Sequence, residues 1–424
     1  MFIEFQVENF LSISELSVLS METGKYLRKY SNTHVLKKSN TSLLKNINIF
    51  GANGSGKSNL LSALKVFTDL VLKPTKDIET KLPYMPFKLD QDSEKKGTTF
   101  SVKFIKNETI YLYTVKYNSD EIMLEELSKL TSSESKEVYF RRTNQTGEDI
   151  IPDHLLELLK TVRKNKLLLF EGQDKNDAIC TSVFQWFHSS LIFETSAGSK
   201  NNLFKLIQED EAKKQIFIKL LNLADFNIVD VDIIEKTEVV TDEMKKFFAA
   251  VLSSGDAPLP KQVTTLEVYS KYKKYDSTGK LIGYERIPYD MESAGTKKMM
   301  LVSLTILNSL HKDRVIIMDE FDDSFHLSLT KSLLELINSS VNDNQFIFTT
   351  HNLNLLDSNL RVDQIYLTEK DFLGRTELFS LFDFNGINGV ARSDISFAKR
   401  YLNGQFGALP DIDIEGMKNL FKEI

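Results

Sequence analysis

Hydrophobic and polar residues alternate at the start of the chain, in MFIEFQVENFLSISELSVLSM, and this period of two predicts two half-buried β-strands. Residues 42–50, SLLKNINIF, form a more continuous apolar run, which predicts a buried strand. Apolar residues then recur at helical spacing in KSNLLSALKVFTDLVL, directly after a glycine-rich segment. Residues 98–130 return to alternation, interrupted at KNE and NSD, and predict further strands joined by turns.

The second half of the chain has a different pattern. Residues 131–285 mix helical runs with polar stretches, include an expected exposed loop at 253–262, and alternate again after it. From residue 292 onwards, a helical run is followed by RVIIMDE, a second helical run and QFIFTTH. Short apolar strands separated by helices are typical of a parallel sheet that helices cover on both faces. The sequence therefore predicts an α/β fold.

Composition narrows the class of protein. The 424 residues, 42% hydrophobic and 26% charged, are typical of a globular protein with two or three domains or one core with a large insertion. A formal net charge of −6 makes non-specific DNA binding unexpected, so that any contact with DNA should be local. The single cysteine, Cys180, excludes an internal disulfide. Because the chain also lacks a long apolar run and a signal-peptide pattern, we expect a cytoplasmic protein that does not contact a membrane.

Residues 51–58, GANGSGKS, fit the phosphate-binding pattern G-x-x-x-x-G-K-S between a predicted strand and a predicted helix. Glycines allow the backbone amides to turn towards phosphate oxygens, and the helix directs its positive end to the same place. Lys57 is expected to reach the β- and γ-phosphates of ATP, and Ser58 to ligate Mg²⁺. The residues expected to hold the nucleotide are Asn53, Gly54, Ser55, Gly56, Lys57, Ser58 and Asn59.

Two later strands end in polar residues that suit ATP hydrolysis. VIIMDEFDDSFH ends its apolar run at Asp319, expected in the Mg²⁺ shell, and Glu320, expected to polarise the attacking water. QFIFTTHN ends at His351, a position from which a histidine can contact a γ-phosphate. The plainer alternatives are two surface acids after a core strand and a structural histidine. An adjacent Asp–Glu pair favours hydrolysis over transfer to a second substrate.

The segment MESAGTKKMMLV, shortly before the acidic strand, contains Ser293, Gly295 and Thr296 ahead of a helical run. By itself this pattern is an ordinary helix cap with a tight turn. At this place in the chain, the exposed amides of the helix N-terminus could instead offer a second phosphate-binding surface to another subunit.

These four elements, in this order, resemble those of the ATP-binding-cassette (ABC) ATPases of the chromosome-maintenance and double-strand-break-repair type, over roughly residues 1–130 and 285–424. Within that superfamily, ESAGTKK, DEFDDSFH, FTTHN and YLNGQFGALP look like segments of small stand-alone ATPases of bacterial anti-phage systems. These are the AbiLi- and RloA-like ATPases, with the ATPase of the PARIS system and the overcoming-lysogenization-defect (OLD) ATPases as relatives.

The resemblance implies an ABC-type P-loop head with a mixed sheet and an antiparallel β lobe at its N-terminus. Residues 1–130 and 286–424 would form the two parts of the ATPase core, and residues 131–285 a mainly helical insertion. It also implies a head-to-tail homodimer, or a higher homo-oligomer, in which Lys57 of one subunit and Ser293–Gly295 of the other hold the same ATP.

One position departs from the chromosome-type pattern, and one expected element, the glutamine loop, has no clear match. His326 stands six residues after Glu320, where chromosome-type ATPases usually place an aspartate, and the anti-phage relatives tend to share this histidine. The standard coupling between the two ATP sites is therefore in doubt. Gln91 is a candidate for the glutamine of the loop that senses nucleotide, with no further support.

The sequence therefore predicts an ATPase that closes as a dimer on ATP and Mg²⁺, and hydrolysis resets it. With no effector domain recognised in the chain, we expect it to control a separate effector, in particular a Toprim-type nuclease, in response to a phage-derived trigger. The main alternative is an ABC-type ATPase that acts on DNA ends in repair or on chromosomes. A scaffold whose ATP site is purely structural is the third hypothesis.

Overall fold

A computed structural model describes residues 1–131, 135–144, 146–147, 150–194, 199–241, 262–384, 396–407 and 413–422. Most of the loop predicted at 253–262, and the last three residues of YLNGQFGALP, lie outside these described residues. The described secondary structure combines long helices with strands in mixed sheets, so the predicted α/β class is confirmed.

The strands are numbered in chain order: β1 (Phe2–Glu8), β2 (Ser17–Ser20), β3 (Val35–Lys38), β4 (Thr41–Leu44), β5 (Asn46–Gly51), β6 (Thr98–Lys106), β7 (Thr109–Tyr117), β8 (Ile122–Leu130), β9 (Lys136–Thr143), β10 (Thr146–Gly147), β11 (Leu191–Phe193), β12 (Asp230–Val239), β13 (Gln262–Tyr275), β14 (Leu281–Pro288), β15 (Val315–Met318), β16 (Gln345–Thr350), β17 (Ile365–Lys370) and β18 (Thr376–Ser380).

The α-helices are α1 (Lys57–Leu72), α2 (Ser93–Lys96), α3 (Asp153–Leu159), α4 (Leu168–Asp174), α5 (Ala178–Ser190), α6 (Ser199–Gln208), α7 (Glu211–Leu223), α8 (Ala294–Ser309), α9 (Leu327–Asn338), α10 (Phe397–Leu402) and α11 (Ile414–Lys422). Among the described helices, none combines the length and the apolar composition that a membrane crossing requires.

The chain forms two compact units. The first joins Met1–Glu194 to His311–Ile424, and the second is Thr195–Leu310. The predicted boundaries at 130 and 285 differ from the limits of these two units. Strand β9 pairs with β8 across the first predicted boundary. The described part of residues 131–285 contains helices α3 to α7 and also the long strands β12 and β13. The division by function into core and insertion stays a prediction.

The first unit contains two large sheets. One is antiparallel, with strand order β10-β9-β8-β7-β6-β1-β2, and contains the strands predicted at the N-terminus and at 98–130. The other has the order β11-β15-β16-β5-β17-β18, in which only β18 runs antiparallel to its neighbour. The strands β15, β16 and β5 are buried at every position, which explains their continuous apolar sequences.

Helix α1 contributes to the hydrophobic core that contains residues of both sheets. Phe67 of this helix is fully buried and lies 5.4 Å from the ring of Phe100 and 5.3 Å from that of Phe187, measured between ring centroids. Trp186 stacks on Phe104 at 4.0 Å. Removing such a buried phenylalanine side chain typically costs about 3–5 kcal/mol, so this aromatic cluster fixes the helix that follows the glycine loop.

Two predicted elements are each divided in the structure. The run 42–50 forms β4 and β5, because the Lys45 amide between them donates to the His34 carbonyl. Residues 153–170, DHLLELLKTVRKNKLLLF, are one of the helical runs expected within 131–285, and they contribute to two helices, α3 and α4. Between these helices lies Asn165, which is buried and donates to the carbonyls of Asp77 and Thr80.

The second unit contains α6, α7, α8 and the three-stranded antiparallel sheet β12-β13-β14. Phe204 of α6 packs against Tyr289, with ring centroids 5.6 Å apart, just ahead of α8. Tyr272 of β13 donates to the Glu292 carboxylate at 3.0 Å. These contacts connect the sheet to the segment that leads into α8.

Candidate functional site

The glycine-rich loop connects the end of β5 to the start of α1. Asn53, Gly54 and Ser58 are exposed, whereas Ser55 and Lys57 are buried. The Lys57 ammonium donates to the Gly51 carbonyl at 2.8 Å and to the Ala52 carbonyl at 3.0 Å. The lysine therefore curls over the loop, in a strand–loop–helix context that matches a phosphate-binding loop.

Two glycines in the loop have backbone angles that favour glycine. Gly54 has φ of 80°, and a Cβ added there would meet no atom within 4 Å, so this glycine borders open space. Gly56 has φ of 104°, and a Cβ there would overlap the hydroxyl of Thr376. A side chain is disfavoured at both places, by conformation at Gly54 and by both conformation and space at Gly56.

A set of hydroxyl groups supports the loop from behind. Ser55 shares a hydrogen bond of 2.6 Å with Thr368, whose strand β17 pairs with β5 at Gly51. Thr376 donates to the Ser55 carbonyl at 2.9 Å and shares a hydrogen bond of 2.7 Å with Ser12. The sequence analysis did not single out these supporting residues, because they lie far from the loop along the chain.

Asn59 has a different placement from the one expected for a nucleotide ligand. Its side-chain amide donates to the Ser12 hydroxyl at 2.6 Å. In this arrangement Asn59 joins the support behind the loop, and its contact with nucleotide stays a prediction.

The acidic pair follows β15, and a buried threonine of the neighbouring strand holds it. The hydroxyl of Thr349 donates to the Asp319 carboxylate and accepts the backbone N–H of Glu320 at 2.8 Å. Glu320 is exposed and has φ of 48°, a left-handed conformation that is uncommon for glutamate. Such conformations concentrate at functional sites, where surrounding contacts maintain them.

His351 follows β16 directly and is exposed. Strand β16 lies between β15 and β5, with Thr350 opposite Phe50 and Phe348 opposite Met318. The carboxyl ends of these parallel strands meet at one edge of the sheet, the usual place for ligands in such folds. The structure thus brings the glycine loop, the acidic pair and His351 to the same edge.

The charges at this edge act on each other. Burial lowers the pKa of Lys57, and the carboxylates of Asp319, Glu320 and Asp322 oppose that shift. Lys57 is thus within electrostatic range of the acidic pair. A buried ammonium with a reduced pKa gains most from a strong anion, as a triphosphate would provide.

The residues present fit a magnesium ion. Mg²⁺ commonly takes one or two protein oxygen ligands and completes its shell with phosphate and water oxygens. The exposed Ser58 hydroxyl at the start of α1 and the Asp319 carboxylate, held by Thr349, offer such oxygens at the edge described above.

Ser293, Gly295 and Thr296 lie in the second unit, at the start of the 16-residue helix α8. Ser293 is exposed, and its hydroxyl caps the helix by accepting the Thr296 backbone N–H at 3.0 Å. Thr296 is buried, and its hydroxyl contacts that of Ser293 at 2.8 Å. The simple capping role is therefore present, and a role towards ATP stays a prediction.

Asn9, near the N-terminus, holds a distant loop in place. Its buried side chain donates to the carbonyls of Ser93 and Gly97 and accepts the Phe87 amide. It thereby anchors both ends of the loop that carries Gln91, which is exposed. His326, which departs from the chromosome-type pattern, caps helix α9 by accepting the backbone N–H of Ser328.

These features are those of an α/β protein with the phosphate-binding loop of a P-loop ATPase. The family model described as "AAA domain, putative AbiEii toxin, Type IV TA system" matches residues 48–357. The match covers more than half of the chain, and the chain belongs to this family. Use of ATP by an AAA/ABC-type ATPase domain follows from that membership. No curated protein matches the chain.

Several solved structures of SMC heads are similar to the chain. The SMC head domain from Thermotoga maritima is 13% identical, with a TM-score of 0.38, and the match covers 89% of this chain and 98% of that one. The SMC head bound to the C-terminal winged-helix domain of ScpA is 14% identical, with a TM-score of 0.42 and coverage of 89% and 97%. The head with an extended coiled coil, bound to the C-terminal domain of ScpA derived from Pyrococcus furiosus, is 15% identical, with a TM-score of 0.42 and coverage of 91% and 98%.

Proposed function

We propose that the protein is an ATP-hydrolysing switch that closes as a head-to-tail dimer. The observation that carries this proposal is the shared edge of the parallel sheet. There, Thr349 fixes the acidic pair within electrostatic range of Lys57, which curls over the loop. An edge of this composition suits the hydrolysis of a nucleoside triphosphate.

Each side chain has a distinct role in the proposed reaction. The amides of residues 53–58 and the Lys57 ammonium would bind the phosphates, while Ser58 and Asp319 would hold Mg²⁺, which neutralises developing charge on the phosphate oxygens. Glu320 would orient and polarise the attacking water. His351 would contact the γ-phosphate from the neighbouring strand.

A second copy would complete the site. Ser293, with Gly295 and Thr296, stands at the exposed start of α8, whose backbone amides can bind an anion. We infer that these residues reach the ATP held by Lys57 of the other copy. ATP would then connect two chains, and hydrolysis would release them.

The output of this switch would be control of a separate effector, in particular a Toprim-type nuclease, in defence against phage. The family description, which names a toxin of a type IV toxin–antitoxin system, supports a role in a system of two interacting proteins. A phage-derived trigger would activate the switch. We expect both components in the cytoplasm.

The alternative, an ATPase acting on DNA ends, receives little support from the basic segment at 269–280. Lys271 pairs with Asp230 at 3.0 Å and Lys274 pairs with Glu285 at 2.6 Å, so two of its lysines are already neutralised within the sheet. A surface that binds DNA by counterion release needs cations available to phosphates.

The Glu320→Gln variant tests the switch. It should bind ATP and Mg²⁺ without hydrolysing ATP, and should accumulate as a dimer of twice the chain mass in native mass measurement. Asp323→Asn, an exposed acid on the same loop, should keep wild-type hydrolysis and return to monomer. A Glu320→Gln chain that stays monomeric with ATP bound would contradict the proposal.

The effector is tested by expressing tagged Glu320→Gln from its native locus and identifying what co-purifies with ATP and Mg²⁺. A stoichiometric second protein with the acidic motifs of a nuclease supports the proposal. A dimer that carries only DNA, lost at high salt, would move the protein to the repair class.

A further inference from the structure

A cavity of about 390 Å³ lies in the first unit, away from the glycine loop. It is formed at the amino ends of β11 and β15, whereas the acidic pair follows the carboxyl end of β15. Its volume lies within the range of small-molecule sites. It is therefore distinct from the proposed ATP site.

The side chains around this cavity are unusually cationic. Lys38, Lys106, Lys312 and Arg314 line it, against the two carboxylates of Glu108 and Asp313. Lys38 and Asp313 form an ion pair at 3.1 Å, and Glu108 accepts a hydrogen bond from Ser39 at 2.7 Å. The lining therefore contains four cationic side chains and two carboxylates, and each of the two carboxylates already has a partner.

Two of the cations are partly withdrawn from water. Burial lowers the pKa of Arg314. Lys106, at the end of β6, is half-buried and forms no ion pair or hydrogen bond through its ammonium within the described residues. For Lys106, desolvation without a matching charge costs free energy, which a bound anion would recover.

Trp186 provides an independent observation. It lines the cavity, is fully buried, and its indole N–H has no hydrogen-bond partner in the described structure. Buried N–H groups are rarely left unpaired, and an exception calls for an explanation such as a bound ligand. The indole is a donor only, so the partner must be an acceptor.

We propose that this cavity binds a small phosphorylated molecule. The volume of the cavity suits a compact ligand, and the combination of cations with neutral donors suits phosphate oxygens. The cations come from the β3–β4 hairpin, the β6–β7 hairpin and the loop before β15. Binding there does not depend on ATP hydrolysis.

Trp186 is the only tryptophan of the chain, so the tryptophan fluorescence comes from the wall of this cavity. The full chain is titrated with inorganic pyrophosphate and, separately, with ribose 5-phosphate, which distinguishes free phosphate from a phosphate ester. We expect a saturable change in emission with at least one probe. Lys57→Ala should keep that response, because the glycine loop is not involved.

Lys106→Gln should raise the half-saturating concentration by about tenfold, the usual effect of losing one charge-assisted hydrogen bond. Lys116→Gln is the matched control: it is also half-buried, lies on β7 about 24 Å from the hairpin end, and should bind like wild type. If Lys106→Gln unfolds at a lower temperature than wild type, the Lys312→Gln variant is titrated instead.

Three results would overturn the proposal. These are no emission change with either probe, an unchanged titration in the Lys106→Gln and Lys312→Gln variants, or a response lost in Lys57→Ala. A response to a 12-base-pair duplex but to neither small probe would assign the cavity to nucleic acid and would equally contradict it.

Discussion

Thr349→Val is expected to impair ATP hydrolysis without changing any residue proposed to contact ATP. Valine keeps the shape of threonine but removes the hydroxyl that binds the Asp319 carboxylate and the Glu320 amide. A hydrogen bond to a charged group contributes about 1.5–3 kcal/mol. If that contribution is lost from the transition state, kcat falls roughly 10- to 100-fold.

Steady-state phosphate release measures the effect, and thermal unfolding shows whether the variant folds. Thr68→Val is the matched control, since Thr68 is also buried but its hydroxyl donates only to the Leu64 carbonyl within α1. Thr68→Val should hydrolyse ATP at close to the wild-type rate. A Thr349→Val enzyme with kcat within twofold of wild type would refute the inference that this threonine positions the acidic pair.

Three further predictions follow from individual contacts. Gly56→Ala should abolish ATP binding in equilibrium dialysis, because its Cβ would overlap the threonine behind the loop. In Gly54→Ala the new Cβ meets no atom, so this variant should lose only about 1–2 kcal/mol of stability to its left-handed backbone. Equal loss of ATP binding in both variants would contradict this reasoning. Arg142→Met should cost about 3–5 kcal/mol in urea unfolding, because it leaves the fully buried Glu125 carboxylate without its guanidinium, and a cost below about 1 kcal/mol would argue against that ion pair. Burial lowers the pKa of His34, so the unfolded chain binds more protons below the ordinary value of 6.5 and the free energy of unfolding should fall as the pH drops below it; His34→Gln should flatten that dependence, and an unchanged slope would assign it to other groups.

The sequence predicts those parts of the molecule that depend on local pattern. The fully buried strands β5, β15 and β16 have continuous apolar sequences. Because these strands are parallel, the polar residues that follow them lie at one edge of the sheet. The glycine loop is equally local, since its function requires a fixed spacing between Gly51 and Lys57.

The remaining features depend on contacts between distant segments. Thr349 meets the acidic pair across 30 residues of sequence, and Thr376 meets Ser55 across 321. The sequence around such a threonine does not reveal this role, because threonine is an ordinary residue in a buried strand. The placement of β11 beside β15 likewise follows from pairing over more than a hundred residues, which periodicity does not reveal.

The central claim is that each ATP is held by Lys57 of one chain and Ser293 of another. Lys57→Ala and Ser293→Arg chains are each expected to lack ATPase activity. When they are mixed, half of the dimers are heterodimers with one intact site, so the activity should recover to roughly a quarter of the wild-type rate. A mixture as inactive as its components, from chains that fold and associate, would contradict the shared site.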